Sequence, residues 1–312
     1  MSAPRRARVR ALAKINLDLR VLGKRPDGFH ELRTVFQTIS LGDTLEIAYT
    51  PGRKTAITLA DDLRIADNLV VRAARLVMEG MRATGRIEMR LTKRIPIGAG
   101  LGGGSSDAAA VLLALPALVG GPMSLAKLSA IGEQLGSDVP FFLLGGTAVG
   151  IGRGSELFPL PDTPEQRGIL VAPGIHVNTA QAYRDLSPRL TTELQQNKIV
   201  SFQSVTWDTS SLASVRNDFE TVVFEQHRKL ATLKKRLVRA GATVALMTGS
   251  GSALFGLFGD GNGISRAREL LGAVETFPIS LVGRARYRAL WRRALKEHTT
   301  PGLWPLQSRY SG

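Results

Sequence analysis

The sequence predicts an α+β chain of two domains, and three observations predict it. Strand-like and helix-like segments alternate irregularly, not as repeated strand–helix–strand units of a doubly wound parallel sheet. The 312 residues suit one large or two ordinary domains, at roughly 100–200 residues each. The pattern also restarts after a Pro- and Gly-rich stretch around Gly154 to Gly168. The expected division is an N-terminal domain over 1–155, a C-terminal domain over 156–290, and a basic tail over 291–312 to which no role is assigned.

The elements follow in chain order. VRALAKINLDLRVLG alternates as a strand, with Val9, Leu12, Ile15, Leu17 and Leu19 as packing candidates. KRPDGFHEL is a turn, because Pro26, Asp27 and Gly28 supply turn chemistry. TVFQTISL and DTLEIAY read as strands. Asp67 reads as the N-cap of an amphipathic helix through Leu69, Ala73, Leu76 and Val77. RIEMRLTKRIP is a strand ended by Pro96. GAGLGGGSSD then opens into the helix AAAVLLALPAL, and a second helix, SLAKLSAIGEQLG, ends at Gly136. Beyond SDVPFFLLGGTAVGIGRG come the strand GILVAPG, one long helix from Asp218 to Ala240, and the strands TVALM and ALFGLF. The helix ISRARELLGAV and the strand ISLVG complete the pattern.

Composition narrows the function classes. Hydrophobic residues are 44% and charged residues 21%, ordinary for a soluble globular protein. The absence of cysteine excludes disulfides, thiolate nucleophiles and Cys-ligated zinc. His30, His176, His227 and His298 stand far apart, in no zinc-binding spacing. No apolar run reaches the roughly 20 residues of a membrane span, so no membrane partner is expected. The basic, acid-poor N-terminus faintly suggests a transit peptide, but it lacks an apolar stretch, and a cytoplasmic location is expected. Of the net charge of +15, ten charges lie in Arg5, Arg6, Arg8, Arg10, Arg284, Arg286, Arg288, Arg292, Arg293 and Lys296. A solvated basic face is the expectation for them; nucleic-acid binding is the less favoured alternative.

The glycine run carries the first chemistry. Gly98, Gly100 and Gly103 satisfy a dinucleotide-binding pattern, yet the following helix leads into another helix instead of a parallel strand bearing an acid. A Walker A loop fails as well, because Gly104 stands where its lysine belongs. What survives is physical. Glycines admit backbone N–H groups close to a phosphate, and a helix N-terminus adds partial positive charge there. Ser105 and Ser106 can donate to phosphate oxygens or reach a magnesium ion, while Asp107 can cap the helix.

Three motifs then make a resemblance specific. AKINLDLRVLGKRPDGFHEL (Ala13 to Leu32), IPIGAGLGGGSSDAA (Ile95 to Ala109) and LGSDVPFF (Leu135 to Phe142) resemble, in order and spacing, those of the diphosphocytidyl-methylerythritol kinases. These belong to the galactokinase/homoserine kinase/mevalonate kinase superfamily, whose C-terminal glycine-rich motif TGSGSALF (Thr248 to Phe255) resembles. RNDFE (Arg216 to Glu220) is similar to the same family. The resemblance implies a two-domain small-molecule kinase fold. It also implies transfer of the γ-phosphoryl of ATP to the 2-hydroxyl of 4-diphosphocytidyl-2-C-methyl-D-erythritol. Lys14 and Asp138 are similar to the catalytic pair. Ile97, Gly98, Ala99, Gly100, Leu101, Gly102, Gly103, Gly104, Ser105, Ser106, Asp107 and Ala108 would hold the ATP phosphates. Magnesium would ride on those phosphates, with Ser105 or Ser106 as a possible hydroxyl ligand. Asn16 resembles a substrate-contacting residue and His30 the residue that hydrogen-bonds cytosine. Phe29 replaces the family's tyrosine and would still stack on cytosine, while Tyr183 and Thr179 match a second aromatic and a nearby substrate contact.

Overall fold

Alternating apolar residues and tight turns organise the chain around two sheets, in a computed structural model that describes residues 3–61, 67–121, 123–190 and 215–299. The first sheet has six strands: β1 (Arg5–Lys24), β2 (His30–Pro51), β3 (Ala56–Asp61), β4 (Gly85–Thr92), β5 (Thr147–Gly152) and β6 (Glu156–Pro159). Their order is β3-β4-β2-β5-β6, with β1 hydrogen-bonded to β2. β2 is long enough to hold β1 along one side and both β4 and β5 along the other, all antiparallel. The second sheet joins β7 (Arg167–Ala172), β8 (Val244–Met247), β9 (Leu254–Phe258) and β10 (Glu275–Ser280) in the order β10-β7-β9-β8.

β1 ties the molecule together. Val9, Ala11 and Leu12 enter the core of the first sheet, Ala13, Ile15 and Leu17 a middle cluster between the sheets, and Leu19 and Val21 the core of the second. Register shifts between Leu12 and Lys14 and between Asn16 and Asp18 re-aim the strand as it passes. The result is unusual for a strand: Lys14, Asn16 and Asp18, lying between apolar neighbours, are all buried. Such groups need partners, and the partners define the site.

Helices cover both layers. α1 (Leu69–Met81) starts at Asn68, whose side chain accepts from the Val70 N–H at 3.0 Å. Asp67, expected to cap it, stands one residue outside with its carboxylate 3.5 Å from Arg72; Asn68 is an equally good cap, placed one residue nearer the first turn. α2 (Gly103–Val119) is apolar on every side from Ala108 to Leu115 and runs through the core. α3 (Leu125–Leu135) and α4 (Val139–Leu144) pack beside it. On the second sheet lie α5 (Thr179–Leu186), α6 (Glu220–Gln226), α7 (Arg228–Arg239) and α8 (Gly261–Leu271). The single long helix expected from Asp218 is thus two helices, broken at His227, where φ is −127° and ψ 69°. The break lets Val222 and Val223 share one core with Leu230, Leu233 and Leu237.

The expected division at 155/156 falls within a hairpin, because β6 pairs with β5 and extends the first sheet to Pro159. The expected tail differs too. α9 (Arg284–Leu295) returns to the first layer and buries Tyr287, Trp291 and Leu295 in its core. Tyr287 donates its hydroxyl to the Phe142 carbonyl at 2.6 Å. Arg286, Arg292, Arg293 and Lys296 therefore lie on its outer face, while Arg284 is half-buried and donates to the Thr147 and Leu160 carbonyls; residues 300–312 lie outside those described.

Candidate active site

The glycine loop adopts the conformation its composition allows. Gly98, Gly100 and Gly102 have φ of +66°, +79° and +67°, and Gly102 occupies the N-cap of α2 without a side-chain cap. The first N–H groups of α2 therefore lack intrahelical partners and remain available to an anion. Asp107, expected as a cap, lies instead inside the helix, 2% exposed. It accepts from Lys93 Nζ at 2.6 Å, and Lys93 also donates to Asp43 at 2.5 Å. Burial pushes the Asp107 carboxyl up to about 7, against the pull of Lys93. Asp107 does not cap because α2 already starts at Gly103, four residues earlier, and Lys93 holds its carboxylate in the interior. Ser106 is committed as well, donating to the Leu12 carbonyl at 2.7 Å from a buried position. Ser105 is the half-buried serine of the loop, and Ile97 at the loop's start is exposed.

Lys14 lies under this loop. Its side chain packs so close to Gly102 that a Cβ there would sit 3.3 Å from Lys14 Cγ and 2.8 Å from the Phe142 ring. Lys14 Nζ donates to Asn16 Oδ1 at 2.8 Å and lies 3.4 Å from Asp138 Oδ2. Asp138 occupies the N-cap position of α4 yet makes no side-chain cap bond. Its carboxylate is one-third exposed, while the lysine is nearly sealed. A buried cation beside a carboxylate open to the cleft can hold and orient a polar substrate group between them.

Asn16, expected to contact the substrate, is held among buried polar partners. It is 2% exposed, and its Oδ1 accepts from Lys14 Nζ, the Gly249 N–H at 2.9 Å and the Thr248 hydroxyl at 3.2 Å. Its Nδ2 donates to Thr34 at 2.7 Å. Burial and a filled set of polar partners make it a latch between β1 and the TGSGS loop. The backbones meet at the same place: a Cβ on Gly100 would lie 2.2 Å from the Thr248 carbonyl oxygen. Asn217 of RNDFE holds the loop from the other side, donating to the carbonyls of Met247 and Gly249 at 2.8 and 2.7 Å.

A second group of residues lies towards α5. The rings of His30 and Tyr183 stack at 4.5 Å with 21° between planes, and Tyr183 meets Phe219 edge-on at 4.8 Å. Ser187 donates its hydroxyl to the Tyr183 carbonyl, so in its 2.7 Å contact with His30 Nε2 the imidazole donates. Burial, with Lys24 adding to it, lowers the His30 pKa and favours that neutral form. Burial and the charge of Asp138 raise the Tyr183 phenol. Phe29, expected to stack on the base, is 52% exposed, with the Arg153 guanidinium 3.6 Å from its ring centroid. The PDG turn carries it outward, and Arg153 also donates to Asp27 at 3.2 Å. Thr179 Oγ1 contacts Ser250 Oγ at 2.8 Å, joining α5 to the TGSGS loop.

The structure therefore brings Lys14, Asn16, Asp138 and the glycine loop into one cleft, with His30, Tyr183 and Thr179 grouped around α5. Thr34, Thr248 and Asn217 were missed as individual residues; the last two had a signal, since both lie in motifs. Ser187 and Arg153 had none.

Family comparisons agree with this geometry. The description "GHMP kinases N terminal domain" matches residues 68–146, and "GHMP kinases C terminal" matches 208–273. A protein of Solibacter usitatus (strain Ellin6076) named 4-diphosphocytidyl-2-C-methyl-D-erythritol kinase is 76% identical over 315 residues, covering 100% of both chains. The chain belongs to the 4-diphosphocytidyl-2-C-methyl-D-erythritol kinase family. A family member from Pelotomaculum thermopropionicum (strain DSM 13744 / JCM 10971 / SI) is 44% identical over 80% of this chain and 88% of its own. A crystal structure of 4-(cytidine 5'-diphospho)-2C-methyl-D-erythritol kinase superposes with a TM-score of 0.74 at 37% identity, covering 88% of this chain and 99% of that one. A homoserine kinase from Cytophaga hutchinsonii, at 20% identity and a TM-score of 0.69, shares the fold, covering 91% of this chain and 97% of its own.

The residues present suit the nucleotide that GHMP kinases use. Left-handed glycines and an uncapped helix N-terminus form a concave set of donors for phosphate oxygens. No group of three or more His, Cys, Asp or Glu side chains suited to a metal occurs among the described residues. No helix among them is long and apolar enough to cross a membrane.

Proposed function

We infer that this chain is the kinase that transfers the γ-phosphoryl group of ATP to the 2-hydroxyl of 4-diphosphocytidyl-2-C-methyl-D-erythritol, a step of the non-mevalonate isoprenoid route. The observation that carries the reading is the Lys14–Asp138 pair, 3.4 Å apart beneath the glycine loop. Phosphoryl transfer has a loose transition state with charge spread over the γ-oxygens, so positioning and electrostatics supply most of the catalysis. The α2 N-terminus and the loop N–H groups would hold the phosphates. Asp138 would accept the hydroxyl hydrogen and aim its oxygen in line with phosphorus. Lys14, held by Asn16, would offset charge on the transferring group from a site where water screens little. Ser105, the loop serine that is only half-buried, would be the hydroxyl available to a magnesium ion carried by the phosphates, an ion that would supply neutralising charge there. Neutral His30 keeps an Nδ1 lone pair that can accept from the amino group of cytosine, and Tyr183 supplies the aromatic wall beside it. A cytoplasmic location goes with this reading, and cell fractionation tests it.

The decisive experiment is ADP release from ATP and magnesium with the diphosphocytidyl acceptor, mevalonate and homoserine offered in parallel. Turnover is expected on the cytidyl acceptor alone, and Asp138→Asn should lower kcat by about 100-fold or more. Turnover on mevalonate or homoserine instead would leave the fold standing and overturn the acceptor assignment.

A further inference from the structure

The two basic ends of the chain take no part in the kinase site, and the fold brings them together. α9 lies against β1: Trp291 and Leu295 share the first core with Ala7 and Val9. His298 Nε2 contacts the Arg6 carbonyl at 2.8 Å, fastening the end of the helix to the strand. Between them lies a cavity of about 290 Å³. Its polar lining is Arg8, Arg10 and Arg293, and its apolar lining includes Leu290, Trp291 and Ala294.

No carboxylate lines this cavity. Arg8 has a single 3.5 Å pair with Glu46, and both side chains are largely solvated. Arg10 donates one N–H to the Ser40 carbonyl at 2.9 Å, leaving the rest of its fork open. Arg293 makes no ion pair or hydrogen bond among the described residues. Three like charges at one cavity repel one another, and an anion with several oxygens relieves that repulsion. Guanidinium forks match phosphate oxygens in geometry. Arginines arriving from both a strand and a helix offer several forks, enough donors for the oxygens of a diphosphate. The apolar half of the lining sets the other end of the ligand. Leu290 is one of the few large apolar side chains left exposed, at 37%. The volume lies just below the roughly 300–1,000 Å³ of sites for drug-sized ligands, which suits a smaller molecule.

We propose that this cavity binds a small molecule carrying a diphosphate on a short apolar chain. The phosphate oxygens lie on Arg8, Arg10 and Arg293, and the chain lies over Leu290, Trp291 and Ala294. The site is separate from the nucleotide loop and does not depend on the acceptor assigned above.

The test is calorimetric titration of the full chain with n-butyl diphosphate, its nucleotide site first saturated with ADP and magnesium. One further equivalent should bind to the unaltered protein. The double variant Arg8→Gln/Arg293→Gln should bind it at least about tenfold more weakly, and Leu290→Glu should weaken it as well. Kinase turnover in all variants should equal that of the parent, which shows that they fold. Unchanged affinity in the double variant, or no second equivalent at millimolar ligand, would overturn the proposal. Equal affinity for inorganic pyrophosphate would overturn its apolar half. Salt-sensitive binding of an RNA oligonucleotide without binding of butyl diphosphate would make the patch a nucleic-acid surface instead.

Discussion

Gly100→Ala should separate the two loops that build the nucleotide site, and its cost can be worked from the structure. A Cβ at residue 100 lies 2.2 Å from the Thr248 carbonyl oxygen and 3.3 Å from that of Gly251. Carbon–oxygen contacts relax near about 3.3 Å, so the loops must part by about 1 Å. Neither side can yield by rotating a side chain, because the obstacle is backbone held by Asn16 and Asn217. The left-handed φ of +79° adds about 1 kcal/mol of strain for alanine. A displacement of 1 Å at a reacting centre costs about 100-fold in rate. Gly98→Ala is the matched control: its φ is +66°, but the nearest atom to a new Cβ is His176 Nδ1 at 3.9 Å. Gly98→Ala should therefore lose about 1 kcal/mol of stability from strain alone. Steady-state ADP release at varied ATP should show kcat/KM down about 100-fold for Gly100→Ala and less than about tenfold for Gly98→Ala. Urea denaturation should find Gly100→Ala the less stable of the two. Equal kinetics in the two variants would refute the idea that contact between the loops sets the phosphate geometry.

Three further outcomes are expected. Asn16→Ala takes one partner from the buried Lys14 ammonium, leaving it Asp138 alone, and leaves the Gly249 N–H unpaired, and should cost about 3 kcal/mol in urea denaturation. Tyr183→Ala should raise KM for the cytidyl acceptor by about tenfold while Tyr183→Phe leaves it within about twofold, since the ring, not the hydroxyl, makes the stack on His30. The Asp107 carboxyl, raised by burial to about 7, binds a proton in the folded chain at pH values where the unfolded chain is ionised. Its contribution to stability is full at pH below the unfolded value and is lost as pH rises through about 7. Asp107→Asn should remove that loss, so unfolding free energies of parent and variant measured from pH 5 to 8.5 should diverge towards high pH.

Much of the fold was legible because it rests on local periodicity. The alternation of β4, the all-apolar run of α2, the glycines before it and the turn at PDG are each settled within a few residues of themselves. The resemblance to a kinase family was equally local, carried by short motifs whose order needs no coordinates. The errors were local too: Asp67 and Asn68 are both good caps, and nothing nearby says which one starts α1. His227 interrupts a helical pattern without any proline or glycine to announce it.

Tertiary structure decided what the polar residues do. Asn16 and Gly249 stand 233 positions apart, and only the approach of β1 to the TGSGS loop makes Asn16 a latch between them. Asp107 looks like a cap in a serine-rich helix start, but Lys93 and Asp43 draw it into the core. Phe29 and Tyr183 are both aromatic residues of the family pattern, yet packing left one under Arg153 and stacked the other on His30. The basic ends look like solvated tails until α9 folds against β1 and makes a cavity between them. By itself the sequence determined the elements, the phosphate loop and the class of chemistry, because backbone preference and motif order are short-range properties. Which side chains are buried, and which partner each then needs, depends on desolvation and on contacts between residues far apart in the chain, and only the folded molecule settles those.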